Sequence, residues 1–378
     1  MWRRRVPPSN QRTRRFGWGI VRRLVGGFVA AVFIMAVASA IFIGIRCYPG
    51  SAEQPRAAAA PPADLPGYRR AEAFTYLTLP EWFIVYSADD YARFVESSSP
   101  TQFPYARSAA QYWQFYSSAC TVTRKAYPFE WGYHMMLGVI GSSFTLEYGL
   151  KAVYENTVGR ATGWFGHDTP EDAFAAKTAA EYGAFMHTVP WYEFSFGSHL
   201  RRLWTDVPVF GPRPVRKLER RFALTLEYGV KAVYGAVIGL ATRSAYGPED
   251  LKIFARVDRT DDGLFRDAKV ETVRRTAQGS YVVRLPRYEA FTRAALTLVD
   301  AGVRFLDVAG NERMLMTVVV PASFVERDVR GGEVIASRLL PTDGRRKRLA
   351  LRVPVARLHE IVPSLRAAGA TIEHLYDY

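Results

Sequence analysis

One stretch of this sequence is written twice, and both copies have the pattern of an α-helix. Residues 144–162 read FTLEYGLKAVYENTVGRAT, and residues 224–242 read LTLEYGVKAVYGAVIGLAT. In each copy an acid, a lysine and a tyrosine stand at positions i, i+4 and i+7, which share one face of an α-helix. The repeat therefore predicts two equivalent helices, each with one polar stripe in apolar surroundings.

The two polar stripes form the candidate functional site. Its members are Glu147, Lys151 and Tyr154 in the first copy and Glu227, Lys231 and Tyr234 in the second. If the helices pack antiparallel about a local two-fold axis, each glutamate meets the lysine of the other copy, because such a contact is self-complementary. We expect Gly149 and Gly229, which carry no side chain, to let the two backbones approach closely.

Three interpretations of these charges are open. Each Glu–Lys pair is a local pair of a soluble helix, worth about 0.2–0.5 kcal/mol. Alternatively, the four charges form a buried structural cluster, or the same groups handle a proton or an ion. Convergence of Glu147, Glu227 and His134 on one cavity would favour an enzyme or a carrier.

A long apolar segment lies near the N-terminus. Residues 24–45 contain no charged residue and are long enough to cross a hydrocarbon layer of about 30 Å. A cleaved signal peptide is the alternative, because Ala38-Ser39-Ala40 resembles a cleavage site. The apolar run continues beyond that site, so the segment predicts an uncleaved transmembrane signal anchor.

The formal net charge of +14 indicates a membrane topology rather than a nucleic-acid ligand. Eight arginines precede the apolar segment: Arg3, Arg4, Arg5, Arg12, Arg14, Arg15, Arg22 and Arg23. By the positive-inside rule they make residues 1–23 a basic cytoplasmic tail and place the folded chain outside the cytoplasm. A nucleic-acid-binding protein concentrates positive charge on a folded face, so we expect no nucleic acid as a partner.

Cysteine and histidine are scarce, which argues against a disulfide framework and against a metal site. Nothing in the sequence brings Cys47 and Cys120 together, so we expect both to be unpaired; one bridge is the alternative if both face an oxidising compartment. The six histidines form no i, i+4 pair and no metal-ligand spacing. No phosphate-binding glycine loop or dinucleotide motif occurs, so we predict no metal and no cofactor.

Composition divides the rest of the chain into a linker and two folded regions. Residues 51–66 are rich in proline and alanine and have the character of a linker. Residues 67–246 are predicted to form an aromatic-rich α-helical domain that contains both copies of the repeat and is embedded in the membrane or lies at its interface. Residues 247–378 are predicted to form an α+β domain.

Local signals place the helices of the middle domain. Helices are predicted at residues 88–96, 108–122, 133–154 and 214–246. Ser87 and Asp90 have the spacing of a capping box for the first of these. Thr169-Pro170-Glu171-Asp172 predicts a further helix start, with threonine as the cap and proline at the first helical position.

Two groups of side chains in this domain have more than one interpretation. The aromatic residues between positions 68 and 133 are either an ordinary core or an interfacial belt. Basic residues that precede the second copy predict a cytoplasmic loop or a surface that meets lipid headgroups. They are Arg201, Arg202, Arg213, Arg216, Lys217, Arg220 and Arg221.

The C-terminal region contains a weaker repeat. Residues 281–286 and residues 349–354 each follow a hairpin turn and lead into a helix, a glycine and another strand. Two hairpin–helix–strand halves predict one α+β domain whose sheet is covered on one face by two helices, as in ferredoxin-like folds. Such an architecture carries no function by itself.

No residue set in the sequence identifies a reaction. We therefore predict a bacterial inner-membrane protein with an extracytoplasmic structural, assembly or interaction role, in contact with membrane lipid and with a protein partner or a second copy. The alternative is a membrane-associated enzyme or carrier that uses the Glu/Lys/Tyr stripes.

Overall fold

The computed structural model describes residues 11–49, 65–166, 168–188, 191–242, 251–326, 329 and 331–378. The predicted linker lies outside the described residues except for Leu65 and Pro66. The first ten residues of the predicted tail and the predicted boundary at residue 246 also lie outside them.

The N-terminal apolar segment is part of one long helix, α1 (Gln11–Arg46), which begins inside the predicted basic tail. Its stretch Val29–Arg46 has the length and apolar composition of a membrane span, and so has Pro214–Leu240 later in the chain. Protein covers one face of the C-terminal half of α1, where Ser39 and Ile43 are buried. The other faces of this half are exposed and apolar.

The middle of the chain is helical. Its helices are α2 (Ala73–Leu77), α3 (Leu79–Val95), α4 (Tyr105–Ala126), α5 (Trp131–Tyr154), α6 (Arg160–Gly163), α7 (Pro170–Met186), α8 (Phe196–Thr205) and α9 (Pro214–Thr242). A π-helical turn (Glu155–Gly159) joins α5 to α6 without a break. The two copies of the repeat lie in α5, with the turn that follows it, and in α9.

The start of α7 is the one that the sequence predicts. The Thr169 hydroxyl accepts a hydrogen bond from the Asp172 backbone N–H, and the Asp172 carboxylate accepts one from the Thr169 backbone N–H. The capping box predicted at Ser87 is wrong, because α3 begins earlier, at Leu79, and Ser87 lies inside it. Its hydroxyl instead bonds to Tyr148 of α5 at 2.9 Å.

Aromatic side chains fill the core between α2, α3, α4 and α5. Tyr76, Phe83, Tyr112, Phe115 and Tyr116 are each at most 1% exposed. The rings of Phe83 and Phe115 lie 5.4 Å apart, a normal distance for packed aromatic pairs. The described aromatic residues of this region therefore form mainly a core.

The C-terminal region contains two antiparallel four-stranded sheets. The first has β1 (Lys252–Val257), β2 (Glu271–Arg275), β3 (Tyr281–Pro286) and β4 (Phe305–Val308) in the order β2-β3-β1-β4. The second has β5 (Arg313–Pro321), β6 (Glu333–Leu339), β7 (Arg346–Pro354) and β8 (Thr371–Leu375) in the order β6-β7-β5-β8. The two orders are equivalent, because β5, β6, β7 and β8 occupy the positions in the second sheet that β1, β2, β3 and β4 occupy in the first. The helices are α10 (Asp262–Asp267), α11 (Glu289–Asp300) and α12 (Leu358–Ala367).

The prediction of one sheet for this region is wrong. Each predicted hairpin pairs with a further strand, β1 beside β3 and β5 beside β7, so two sheets result. The missed strand β5 is buried at every position from Met314 to Val320. A strand that is covered on both faces has no polar–apolar alternation, and this alternation is the usual sequence signal of a strand.

The second sheet lies between two cores. On one face, Met316 and Leu351 belong to a core that also includes the first sheet, α11 and α12. On the other face, Leu315, Ala350 and Tyr376 belong to the aromatic core of the helical region. The second sheet therefore fixes the α+β region against α2, α3 and α4.

Candidate functional site

The structure brings together the four charged residues of the two polar stripes. Lys151 Nζ lies 2.8 Å from Glu227 Oε1, and Lys231 Nζ lies 2.9 Å from Glu147 Oε1. Within each helix the glutamate and the lysine also touch, at 3.1 Å in α5 and 3.2 Å in α9. The result is a ring of alternating charges without net charge, which we call the four-charge cluster.

The four-charge cluster borders a cavity of about 80 Å³, which has room for only a few water molecules. The tyrosines that follow the glutamates, Tyr148 and Tyr228, line the same cavity, together with Tyr91 and Tyr182. Each lysine also lies over a ring: Lys151 is 5.4 Å from the Tyr91 centroid and Lys231 is 5.2 Å from the Tyr182 centroid. These distances are within the range of cation–π contacts.

The two predicted tyrosines of the site do not join the cluster. The Tyr154 hydroxyl donates a hydrogen bond to Glu219 at 2.8 Å. Tyr234 packs on Trp191, with ring centroids 5.4 Å apart. The i+7 positions thus lie one turn too far along each helix to reach the partner helix's charges.

The expected role of the two glycines is also wrong. A Cβ atom added to Gly149 would meet nothing within 4 Å, and one added to Gly229 would meet only Leu200, at 4.0 Å. The backbones of α5 and α9 are therefore not held together at these positions. The long side chains of the glutamates and lysines bridge the gap between the helices.

Contacts around the cluster recur in two three-helix units: the first unit is α3, α4 and α5, and the second unit is α7, α8 and α9. Trp113 Nε1 donates to Thr145 Oγ1 at 2.9 Å in the first unit, and Trp204 Nε1 donates to Thr225 Oγ1 at 3.0 Å in the second. The two threonines hold the same place in the repeated sequence. Each unit thus ties its middle helix to its repeated helix in the same way.

The tyrosine after each glutamate lies beside an equivalent hydroxyl group. Tyr148 bonds to Ser87 of α3, and Tyr228 lies beside Thr178 of α7. Aligning Tyr91 with Tyr182 places Ser87 opposite Thr178.

The same alignment pairs the aromatic contacts of the two units. The Phe103–Tyr105 and Phe194–Phe196 pairs both have centroids 4.8 Å apart. Each pair lies at the start of the middle helix of its unit, where the chain turns from the first helix into the middle one.

His134 lies away from the cavity. It stacks on Phe129, with centroids 4.5 Å apart, and its Nδ1 is 2.9 Å from the Tyr116 hydroxyl. Glu147 and Glu227 therefore line one cavity without His134. This arrangement lacks the convergence that would favour an enzyme or a carrier.

Cys47 and Cys120 form a disulfide bond, which corrects the expectation that both are unpaired. The bond joins the residue after α1 to the C-terminal half of α4, although the two cysteines are 73 positions apart. A His134 nitrogen and the two sulfurs lie within 4.8 Å of one another. In the disulfide the sulfurs bond to each other, and a thiolate is the form that binds metal.

A second group of charges was missed by the sequence analysis. Arg216, Lys217, Arg220 and Arg221 at the start of α9 are each at most 3% exposed. They pair with Glu155, Glu171, Asp172 and Glu219. We call these eight residues the buried ion network; four positive and four negative groups leave it without net charge.

The buried ion network corrects the prediction of a basic loop or headgroup surface. Arg221 Nη2 lies 2.7 Å from Glu171 Oε1, and Lys217 Nζ lies 3.1 Å from Glu171 Oε2. Glu171 is fully buried and follows the predicted cap Thr169. The sequence does contain a signal for this network, because acidic residues stand at the start of α7 and basic residues at the start of α9. Only the tertiary fold brings these two helix starts together. Of the seven basic residues, Arg201 and Arg213 are exposed.

A third titratable group lies where the helical region meets the α+β region. His187 Nε2 is 2.8 Å from Asp89 Oδ2, and His187 Nδ1 is 3.5 Å from Glu289 Oε2 of α11. The hydrogen bond to Asp89 and the nearby carboxylate of Glu289 raise the pKa of His187 to about 9. Burial raises the pKa of Glu289, but the neighbouring imidazoles of His187 and His374 outweigh it and lower that pKa to about 2.

His374 completes this contact. It is fully buried, its Nδ1 is 2.8 Å from the Thr292 hydroxyl, and it stacks on Trp82 at 3.5 Å between centroids. Burial lowers the pKa of His374 below its ordinary value. One charged and one neutral histidine therefore flank Glu289 near neutral pH.

No protein-family model, curated protein or solved structure matches this chain.

Proposed function

We propose that this chain is a bacterial inner-membrane protein whose N-terminus is cytoplasmic and whose folded body lies outside the cytoplasm, where it has a structural, assembly or interaction role. The observation that carries the proposal is that the apolar helix α1 is attached to the folded body by a disulfide bond. The disulfide joins the end of α1 to α4, and disulfides persist in oxidising compartments such as the periplasm. Arginines on the other side of the apolar stretch favour the same orientation.

Contacts along α1 support this role. Ser142 Oγ of α5 donates a hydrogen bond to the Met35 carbonyl, and Arg46 Nε donates one to Ser117 of α4 at 2.9 Å. A flexible tether would leave the folded body free to move away from the bilayer. A helix that packs on α4 and α5 instead holds the body at a fixed position on the membrane, as a structural or interaction subunit requires.

The cavity beside the four-charge cluster argues against a catalytic use of these four charges. Its volume of about 80 Å³ is well below the roughly 300–1,000 Å³ of small-molecule sites. Its four charges neutralise each other in pairs shorter than 3.3 Å. They act as a half-buried structural cluster that couples the two units, which is nearest to the second of the three interpretations drawn from the sequence.

A carrier function is the second candidate, and one observation favours it. The two units meet at a local two-fold axis with ionisable groups beside it, an arrangement that many transporters share. Proton-linked transport of any solute would then depend on Glu147 and Glu227. Loss of a membrane-potential-dependent uptake in a Glu147→Gln variant that still folds would favour the carrier over the structural role.

We also propose that the α+β region consists of two ferredoxin-like halves. The order β2-β3-β1-β4, with all neighbours antiparallel and a helix between β3 and β4, supports this for the first sheet. The second sheet has the equivalent order and α12 at the equivalent place.

Reporter fusions test the topology. Alkaline phosphatase fused after Tyr378 should be active, and a reporter that fluoresces only in the cytoplasm should be dark at the same position. The matched control is a fusion before α1, where we expect the opposite pattern. An inactive phosphatase together with a bright cytoplasmic reporter after Tyr378 would exclude the proposed orientation.

A further inference from the structure

The outer faces of α5 and α9, on the side away from the four-charge cluster, expose apolar side chains at matching positions. Leu150 is 57% exposed and its counterpart Val230 is 59% exposed. Val153 is 67% exposed and its counterpart Val233 is 68% exposed. The same apolar surface is thus present in both units.

On α9 this surface runs along most of the helix. It includes Leu218, Phe222, Leu226, Val230, Val233 and Val237, all between 58% and 72% exposed. The spacing of three or four residues places them on one stripe of an α-helix. The opposite face of α9 carries the buried ion network and the four-charge cluster. The helix is therefore two-faced, with its charges inside the protein and its apolar residues outside.

The anchor helix α1 lies beside this surface. A Cβ atom added to Gly138 of α5 would lie 2.6 Å from Ser39 Oγ, so α1 packs directly on α5. The free faces of α1 are apolar as well, with Phe33 69% and Ile34 63% exposed. Hydrocarbon that surrounds α1 thus also lies next to the outer face of α5.

We propose that the outer faces of α5 and α9 form one surface that contacts the acyl chains of the bilayer beside α1. Two observations select lipid as the occupant: continuity with the anchor helix and the repetition of the surface in both units. Charged side chains are exposed elsewhere on the helices, at Lys177 of α7 and at Arg201 of α8. Exposed Trp164 and Phe210, at 88% and 91%, lie in the connections next to the two repeated helices, and aromatic residues are enriched at membrane interfaces.

This inference rests on the membrane anchoring proposed above, so the experiment measures both separately. The full chain is reconstituted in nanodiscs of phosphatidylethanolamine and phosphatidylglycerol, with a nitroxide on one introduced cysteine at a time. The variants are Leu150→Cys and Val230→Cys on the proposed surface, Phe33→Cys on α1, and Lys177→Cys as the matched water-facing control. Variants are compared only if their melting temperatures match that of the parent.

We expect labels at positions 150 and 230 to collide often with oxygen, which concentrates in hydrocarbon. With a water-soluble nickel complex, the same two labels should collide at least several-fold less often than the label at position 177. Nickel accessibility at 230 equal to that at 177 would overturn the inference. Low accessibility to both reagents with dipolar broadening would also overturn it, because a second copy would then cover the surface. A water-accessible label at position 33 would instead show that the anchoring itself fails.

Discussion

The two three-helix units share their inner contacts and differ in what surrounds them. Both units have the tryptophan–threonine bond and the lysine over a tyrosine. The first unit is covered by the anchor helix, the disulfide and the second sheet, whereas the second unit contains most of the buried ion network. The shared contacts therefore define the unit itself, and the differences show how each unit is attached to the rest of the molecule.

Small residues explain how the first unit accepts α1. Gly138 and Ser142 of α5 touch the anchor helix, and their counterparts on α9 are Leu218 and Phe222. These large residues are 72% and 62% exposed. The equivalent face of the two helices is thus a helix–helix contact in one unit and an exposed apolar face in the other.

The largest effect is expected in the buried ion network of the second unit. Glu171→Gln removes the fully buried carboxylate charge that pairs with Lys217 and Arg221. Leaving buried charges without a partner typically lowers the free energy of unfolding by about 3–5 kcal/mol. Thermal unfolding in detergent measures the loss, and Asp206→Asn at an exposed ion pair is the control, with little expected change. A Glu171→Gln variant that melts like the parent would show that the second unit does not depend on the network.

The disulfide of the first unit should give the next largest effect. Replacing both Cys47 and Cys120 by serine removes a link that closes a long loop, and we expect a loss of about 2–5 kcal/mol. A reductant should lower the melting temperature of the parent to that of the double variant. The double variant itself should not respond to reductant. A parent that melts at the same temperature with and without reductant would argue against the bond.

The link between the second unit and the α+β region should depend on pH. Because the pKa of His187 is raised to about 9, its contribution is complete below its ordinary pKa of 6.5 and is lost as the pH rises through about 9. Because the pKa of Glu289 is lowered to about 2, its contribution is complete above 4.5 and is lost as the pH falls through about 2.

We therefore expect the protein to lose on the order of 2 kcal/mol of stability between about pH 6 and about pH 10, after allowance for the solvent around His187. His187→Gln should flatten this part of the profile, as followed by melting temperature. An unchanged slope in that variant would assign the pH dependence to other groups.

The smallest loss of stability is expected when the equivalent tryptophan–threonine hydrogen bonds of the two units are removed. Thr145→Val and Thr225→Val each remove the acceptor of a tryptophan N–H, with an expected loss of about 0.5–1.5 kcal/mol. The loss should be greater for Thr145→Val, because Trp204 is 52% exposed and water can replace Thr225. A larger loss for Thr225→Val in chemical denaturation would contradict this ranking.

The sequence predicts the repeated helices, the α7 cap and the crossing of the four charges, because these depend on spacing along one helix or on the repeat itself. It does not predict the disulfide, the buried ion network or the His187 contact, since each joins residues whose proximity arises only from tertiary packing. The strand β5 was missed because burial on both faces removes the alternation that marks a strand. The expectation for the glycines fails because residues i and i+2 do not share a face of an α-helix, so Gly149 and Gly229 lie away from the face that carries Glu147 and Glu227.

Paired double-mutant cycles test most directly whether the four-charge cluster couples the two units. One cycle combines Glu147→Gln with Lys231→Met, and the other combines Glu227→Gln with Lys151→Met. Each single change should destabilise the protein, each double change should be milder than the sum, and the two coupling energies should agree and fall within about 0.5–3 kcal/mol. Strict additivity in both cycles, or coupling in one cycle only, would contradict the equivalence of the two units.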